Sequence, residues 1–195
     1  MRILLVYCHP VAESYCAALR EAAIRTLKIT GHEVDLLDLY DEKFDPVMQS
    51  EEELHYNATT LDTHPLPAQA ERVRQAEGLL FVYPTWWYGP PAMLKGWLDR
   101  VLTPNVAYQL SPGDRPIRPL LTQIRFIGVI TTCGATRTWS NLMGHPGRRM
   151  LLRGVRALCA RRCKSLYLAH YSMDQSTAET RAAFQRRVEK YLAKI

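Results

Sequence analysis

The chain lacks long apolar runs, and neither an export signal nor a membrane anchor is expected from the first of those present. Its first apolar run, Ile3-Leu4-Leu5-Val6-Tyr7, follows one arginine and is stopped by His9-Pro10. That is too short for a signal-peptide core and far short of a membrane span, so it reads as a buried strand of a cytoplasmic protein. Cysteine is scarce and unpaired. None of the five (Cys8, Cys16, Cys133, Cys159, Cys163) forms Cys-x-x-Cys and one is left over, which excludes a disulfide framework. Cys159 and Cys163 fall four apart on one face of an expected helix, yet no histidine or further cysteine stands at zinc-finger spacing. No metal site is expected. Repeats, low-complexity tracts and linkers are also missing. The net charge of +6 raises the question of nucleic acid, but the basic residues are not interleaved with aromatics as a stacking surface requires.

What is present is a regular alternation of apolar runs with helical periodicity. At 195 residues and 47% hydrophobic, the chain fits one domain, 1–195, with a single core. Strands are predicted near 2 to 8, 33 to 38, 78 to 83, 124 to 131 and 164 to 170. Four are rich in Val, Ile, Leu or Phe, as strands covered on both faces should be. The strand at 33 to 38 alternates acidic and apolar residues and belongs at an edge. Between them, Ser14 is suited to cap a helix carrying Tyr15, Leu19, Ala23 and Leu27, with Gly31 ending it. Pro91 opens another, with Leu94, Trp97, Leu98 and Val101 on one face. A third is predicted over 147 to 161, and a last one bears Phe184, Val188, Tyr191, Leu192 and Ile195 as one stripe. Five strands with intervening helices suit an α/β three-layer sandwich with a parallel sheet of order 2-1-3-4-5. Two irregular segments, 40–66 and 103–122, are expected at a subunit contact. Seven basic residues and no acidic one lie between Arg148 and Lys164. They form either a solvated helix face or an attractor for a phosphate-bearing substrate such as a nicotinamide dinucleotide.

In open parallel sheets, ligands bind beyond the carboxyl ends of the strands, where strand order reverses. Three segments end there: Cys8 to Cys16, Tyr83 to Pro91 and Thr131 to Trp139. The first has neither GxGxxG nor a Walker pattern. A strand-to-helix loop still aims free N–H groups and a helix dipole at an anion, and His9, Ser14 and Tyr15 add side-chain donors. The second, Pro84-Thr85-Trp86-Trp87-Tyr88-Gly89-Pro90-Pro91, holds three aromatic rings in a proline-bounded turn that no core periodicity explains. Planar rings on a rigid loop suit a flat, electron-poor ring system such as a flavin. The third presents Thr131, Thr132 and Gly134, whose backbone faces the other end of such a ring. A phosphatase-type cysteine is excluded, because the positions six after Cys8 and Cys133 hold Ser14 and Trp139 instead of arginine.

These segments, with Asp38-Leu39-Tyr40, Phe44 and Pro46, resemble the flavodoxin-like NAD(P)H:quinone oxidoreductase family, which includes the ancillary flavoproteins of glutathione-gated potassium efflux. The stretch from Pro84 to Val101 carries the most specific likeness, and the likeness is weakest after residue 150. The resemblance implies a homodimer with the flavin, FAD or alternatively FMN, at the subunit interface. It implies that His9, Ser14, Tyr15 and Cys16 hold the pyrophosphate, Pro84 to Tyr88 the isoalloxazine, and Thr132, Cys133, Gly134 and Ala135 its far edge. It further implies a tyrosine and a histidine that stabilise charge during transfer from NAD(P)H; those positions hold Trp139 and His145 here. Cys16 stands where Asn is expected and Cys133 where Gly is usual. The activity implied is reduction of a quinone-like acceptor, and the alternative is a flavin-bearing regulatory subunit touching a membrane transporter. A basic chain is unlike an electron carrier of flavodoxin type.

Overall fold

A computed structural model describes residues 1–113 and 115–195. Five strands pair in parallel: β1 (Arg2–Tyr7), β2 (Glu33–Asp38), β3 (Gly78–Thr85), β6 (Phe126–Cys133) and β7 (Lys164–His170). Their order is β2-β1-β3-β6-β7, the expected 2-1-3-4-5 once a separate two-strand hairpin, β4 (Tyr108–Gln109) with β5 (Arg118–Pro119), is set aside. The acidic strand β2 is an edge, as expected. β3 and β6 run two residues further than their predicted ends, and their register pairs Tyr83 with Thr131 and Thr85 with Cys133. Both strands are buried along almost their full length.

Alternation along β1 separates two cores. Ile3, Leu5 and Tyr7 face one layer with Cys16, Leu19, Ala23 and Leu27 of α1 (Tyr15–Ile29) and with Phe184, Val188 and Leu192 of α7 (Ala178–Leu192). Leu4, Val6 and Cys8 face the other layer, with Val73 of α3 (Pro67–Gln75) and Leu94, Trp97, Leu98 and Val101 of α4 (Ala92–Val101). Ser14 accepts from the Ala17 N–H at 3.1 Å and so caps α1, while Gly31 takes φ +81° just beyond its end. Pro91 is the N-cap of α4, one position earlier than a first-turn proline. Tyr191 lies off the buried stripe of α7 and is exposed, because the stripe advances by four at Phe184, Val188 and Leu192.

The helix expected over 147 to 161 is broken. A short α6 (Pro146–Arg149) passes into a π turn at Met150–Gly154 and a 3-10 turn at Val155–Leu158. The cause lies in the preceding loop: the Leu121 N–H takes the Leu158 carbonyl at 3.1 Å, and the Ala160 N–H donates to the Ile124 carbonyl at 3.0 Å. Those bonds pull the chain out of the helix, leaving Cys159 extended and Cys163 in the turn before β7. The two cysteines therefore share no helical face. Among the described residues all five cysteines are free, no metal-binding group of three or more is present, and no helix is long and apolar enough to cross a membrane.

The segments expected to be irregular are partly ordered. Segment 40–66 contains α2 (Ser50–His55), clamped to α4 by Arg100, which is only 7% exposed. Its guanidinium donates to both Glu52 carboxylate oxygens and to the Asp45 carbonyl. Gly96 completes the clamp, since a Cβ there would collide with Pro46.

Arg100→Met is expected to cost no more than about 3–5 kcal/mol in urea unfolding, because it leaves the half-buried Glu52 carboxylate without its partner. Burial is the largest influence on Glu52 and raises its pKa, but the Arg100 hydrogen bonds, the Gln49 N–H and the Arg100 charge together outweigh it and hold the group below its usual value. A depressed carboxylate stabilises the fold above its unfolded pKa and loses that contribution as pH falls through the folded one. The stability gap between wild type and variant should thus narrow through the acid side of the carboxylate range; a gap independent of pH would contradict the pairing.

Candidate functional site

The register of β1, β3 and β6 brings the three strand-end segments together around a cleft of about 650 Å³. Of the residues expected there, His9, Pro84, Thr85, Trp86, Trp87, Tyr88, Thr132, Cys133, Gly134 and Ala135 line it. Two residues of the loop after β7, Met173 and Asp174, complete the wall. No spacing or pattern in the sequence pointed to them. The only local hint was Gly134, which lacks a side chain where the Asp174 carboxylate approaches: a Cβ there would sit 2.8 Å from Oδ2.

The aromatic turn has an unusual backbone. Trp86 and Gly89 exchange two hydrogen bonds, 3.1 and 3.0 Å, around Trp87 at φ +48° and Tyr88 at φ +62°. Left-handed conformation at both central positions defines a type I′ turn, normally built from Asn or Gly. Two bulky rings are instead held there at a cost of about 1 kcal/mol or more each. Core burial does not compensate at Trp87, which is 95% exposed, whereas Tyr88 is half-buried. Tyr88 is steadied from outside the turn: the Trp139 Nε1–H of α5 (Arg137–Leu142) donates to its Oη at 2.7 Å. The Tyr88 hydroxyl keeps its own proton to donate.

In the first loop the side chains are largely committed elsewhere. Ser14 is occupied as the α1 cap. The Tyr15 hydroxyl donates to the Arg181 carbonyl of α7 at 2.7 Å, and its ring stands edge-on to His170. Cys16 is 2% exposed in the core, and burial pushes its thiol up to about 12. What these three leave for an anion is backbone, since the first N–H groups of α1 have no acceptor within the helix. His9 differs. Its Nδ1 accepts from the Val11 N–H at 3.0 Å, and burial lowers its pKa, so at neutral pH it is a neutral imidazole carrying its proton on Nε2. It enters the cleft as a donor without charge.

Thr131 lies beneath the floor, 1% exposed, with its hydroxyl 2.8 Å from that of Thr85. It holds Thr85 in place and does not reach the cleft. His145 also stands outside, behind a narrow neck lined by Tyr88, Cys133 and Tyr171. Its backbone occupies the N-cap position of α6 at φ +49°, yet its side chain makes no capping bond. The ring sits edge-on between Tyr167 and Tyr171, with centroids at 5.9 and 6.1 Å, and Nε2 donates to Asn141 Oδ1 at 2.7 Å. Burial, then the charges of Arg148, Arg137 and Arg149, lowers its pKa. The His145 N–H is thus engaged by Asn141, while the Tyr88 hydroxyl, held by Trp139, lies on the cleft side of the neck.

Comparison with known proteins bears on the fold and the family. An uncharacterized NAD(P)H oxidoreductase, YcaK of Escherichia coli K12, is 36% identical over 130 residues, 66% of this chain and 64% of that protein. NAD(P)H dehydrogenase [quinone] 1 of Cavia porcellus is 34% identical over 124 residues, 55% of this chain and 45% of that protein. The matches to the first curated relatives span between 45% and 58% of those proteins' length. Among solved structures, the NAD(P)H:quinone oxidoreductase of Methanothermobacter marburgensis superposes with a TM-score of 0.83 at 26% identity, over 100% of this chain and 96% of that one. With five parallel strands in the order β2-β1-β3-β6-β7, and a family model that matches residues 1–195, the chain belongs to the family with the flavodoxin-like fold.

Proposed function

We propose that this chain is a flavin-dependent oxidoreductase that takes electrons from a reduced nicotinamide and delivers them to a quinone-like acceptor in the same cleft. The observation that carries this reading is the Trp86-Trp87-Tyr88 turn: two rings in strained backbone, one almost fully exposed, at the mouth of a cleft of about 650 Å³. That volume suits a nucleotide-sized ligand. Strain that no burial repays marks a place where rings are held for a ligand or a second subunit. The names of the relatives support the same class of activity.

A bound flavin supplies the means of passing an electron pair between two partners that take turns in one site. Everything else is asked of the chain. Trp86 and Trp87 offer faces for a planar ring. Thr85, held by Thr131, and the backbone of Thr132 to Ala135 offer polar contacts along its edges. The N–H groups at the start of α1 and the neutral Nε2–H of His9 offer uncharged donors for phosphate. Tyr88 places a hydroxyl proton, oriented by Trp139, where negative charge developing in the cleft is stabilised. The exposed Val47, Leu54, Leu110 and Ile117 on the two former "irregular" segments support a homodimer.

The first test is simple: protein that is purified colourless, and stays so after FAD or FMN is added, removes the reading. The mass of flavin released by heating separates FAD from FMN.

Trp87→Asn is expected to move stability and binding in opposite directions. Asparagine tolerates the left-handed conformation, so thermal stability should rise by roughly 0.5–1 kcal/mol. Loss of a stacked ring should weaken flavin retention by on the order of 1 to 3 kcal/mol, about five- to 150-fold. Unchanged flavin occupancy on dilution would remove Trp87 from the binding wall.

Tyr88→Phe keeps the ring and deletes the hydroxyl. Stopped-flow reduction by NAD(P)H should slow by about 10²-fold with flavin content retained. His145→Ala should slow it less, since its N–H is committed to Asn141. The reverse ranking would return the donor role to His145.

A further inference from the structure

Beside the cleft, on the far side of His145, lie two adjoining hollows of about 350 and 230 Å³ that share Asn141, His145 and Arg148. Their walls come from α5, the broken helix after His145, β7 and α7, and they carry five guanidinium groups: Arg137, Arg148, Arg149, Arg153 and Arg187. No carboxylate lines either hollow among the described residues. None of the five arginines is paired with an acidic side chain there, whereas Arg2, Arg20, Arg25, Arg72, Arg100 and Arg125 all are.

The cluster is built. Gly144, at φ +75°, has no Cβ, and the Arg149 guanidinium packs against the space one would fill, 3.2 Å from its ideal position. Arg148 lies over the Tyr167 ring at 5.2 Å, which fixes a planar cation with its edge free. Arg156 of the same broken helix is turned away and donates to the Cys163 carbonyl. Only part of the basic run seen in the sequence therefore faces the groove, and the remainder does not form one solvated helix face.

The five exposed cations, three around each hollow with Arg148 common to both, carry no counter-charges, an arrangement that an anion of several charges relieves. The groove meets the cleft at the neck where Tyr88 and Cys133 face His145 and Arg148. A long ligand with its reactive end in the cleft would carry its charged tail over this neck, whose void of about 10 Å³ is too small to thread. A diphosphate bridge alone would leave most of the guanidiniums uncompensated, while a further phosphomonoester adds about −1.5 to −2 charges at pH 7 and presents three acceptor oxygens to forked donors.

From this juxtaposition we infer that the groove of Arg137, Arg148, Arg149, Arg153 and Arg187 is a binding site for the phosphomonoester of a 2′-phosphorylated dinucleotide, so that the electron donor is the phosphorylated nicotinamide nucleotide in preference to the unphosphorylated one. The choice of donor rests on the oxidoreductase reading; the anion site itself does not.

The test is calorimetric titration of the full-length protein at low salt, with adenosine 2′,5′-bisphosphate, adenosine 5′-monophosphate, inorganic phosphate and a short single-stranded oligonucleotide as probes. The bisphosphate should bind at least about tenfold more tightly than the monophosphate. The exposed double variant Arg149→Ala/Arg153→Ala, and Arg187→Ala on a separate helix, should each lose about tenfold to 100-fold of that affinity with unchanged thermal unfolding. Equal affinity for the two nucleotides, retention of affinity in the variants, or tighter binding of phosphate or the oligonucleotide would overturn the assignment. The titration needs neither flavin nor turnover. A colourless protein that still selects the bisphosphate would defeat the flavin reading alone, whereas a yellow protein reduced equally well by both nicotinamide nucleotides, and blind to the bisphosphate, would defeat only this one.

Discussion

The site depends on the pairing of β3 with β6. Both strands are sheathed by the two cores, and their parallel register sets Tyr83 beside Thr131 and Thr85 beside Cys133 at the same end of the sheet. A slip of one residue would turn every side chain to the opposite face. The hydroxyl contact between Thr85 and Thr131 would be lost, and the aromatic turn would no longer stand opposite Gly134. The long apolar alternation that fills the two cores, from Ile3 through Ile127 to Leu168, is therefore also what aligns the loops. In this fold the chemistry is a by-product of register.

That dependence explains what could be read from the sequence. Strands covered on both faces need near-continuous apolar runs, and α1 and α4 need stripes at helical spacing, so their positions were legible to within two residues. The aromatic turn was legible for a different reason: three rings between prolines had no place in any core. The broken helix after His145 was not legible, because its cause is a pair of long-range backbone bonds from the loop at 121–124, and side-chain periodicity carries no trace of them. Asp174 was missed for the same reason, since its approach to Gly134 follows from the path of the loop after β7. At Tyr15 and Cys16 the fold engages the side chains, one hydroxyl tying α1 to α7 and one thiol filling a core, so what they present toward the loop is backbone N–H, which residue type alone did not show.

Electrostatics divide the region into two environments. The cleft is served by uncharged donors: backbone N–H groups, the neutral His9, and the Tyr88 hydroxyl backed by Trp139. Behind the neck, burial first and then the charges of Arg148, Arg137 and Arg149 lower the pKa of His145 and favour its neutral ring. Neutral donors can stabilise charge that comes and goes without trapping either state, whereas fixed cations suit charge that is permanent, such as phosphate. Trp139 fits this division: an indole cannot ionise, but its N–H holds the Tyr88 hydroxyl in an orientation that leaves the hydroxyl proton free to donate.

The strained turn connects these points to stability. A I′ turn of Asn and Gly at positions 87 and 88 would close the same two hydrogen bonds more cheaply, so the stability of the isolated chain does not account for the rings there. Exposed tryptophan also carries a risk of association. Both costs become intelligible when a planar ligand or a neighbouring subunit covers Trp87, because the burial then gained offsets the backbone strain only in the assembled state. The turn in the bare chain is thus poised: rigid through its two backbone bonds and the Trp139 contact, yet incomplete in its packing. Rigidity without burial is what a stacking platform requires, since little ordering remains to be done when the ring arrives.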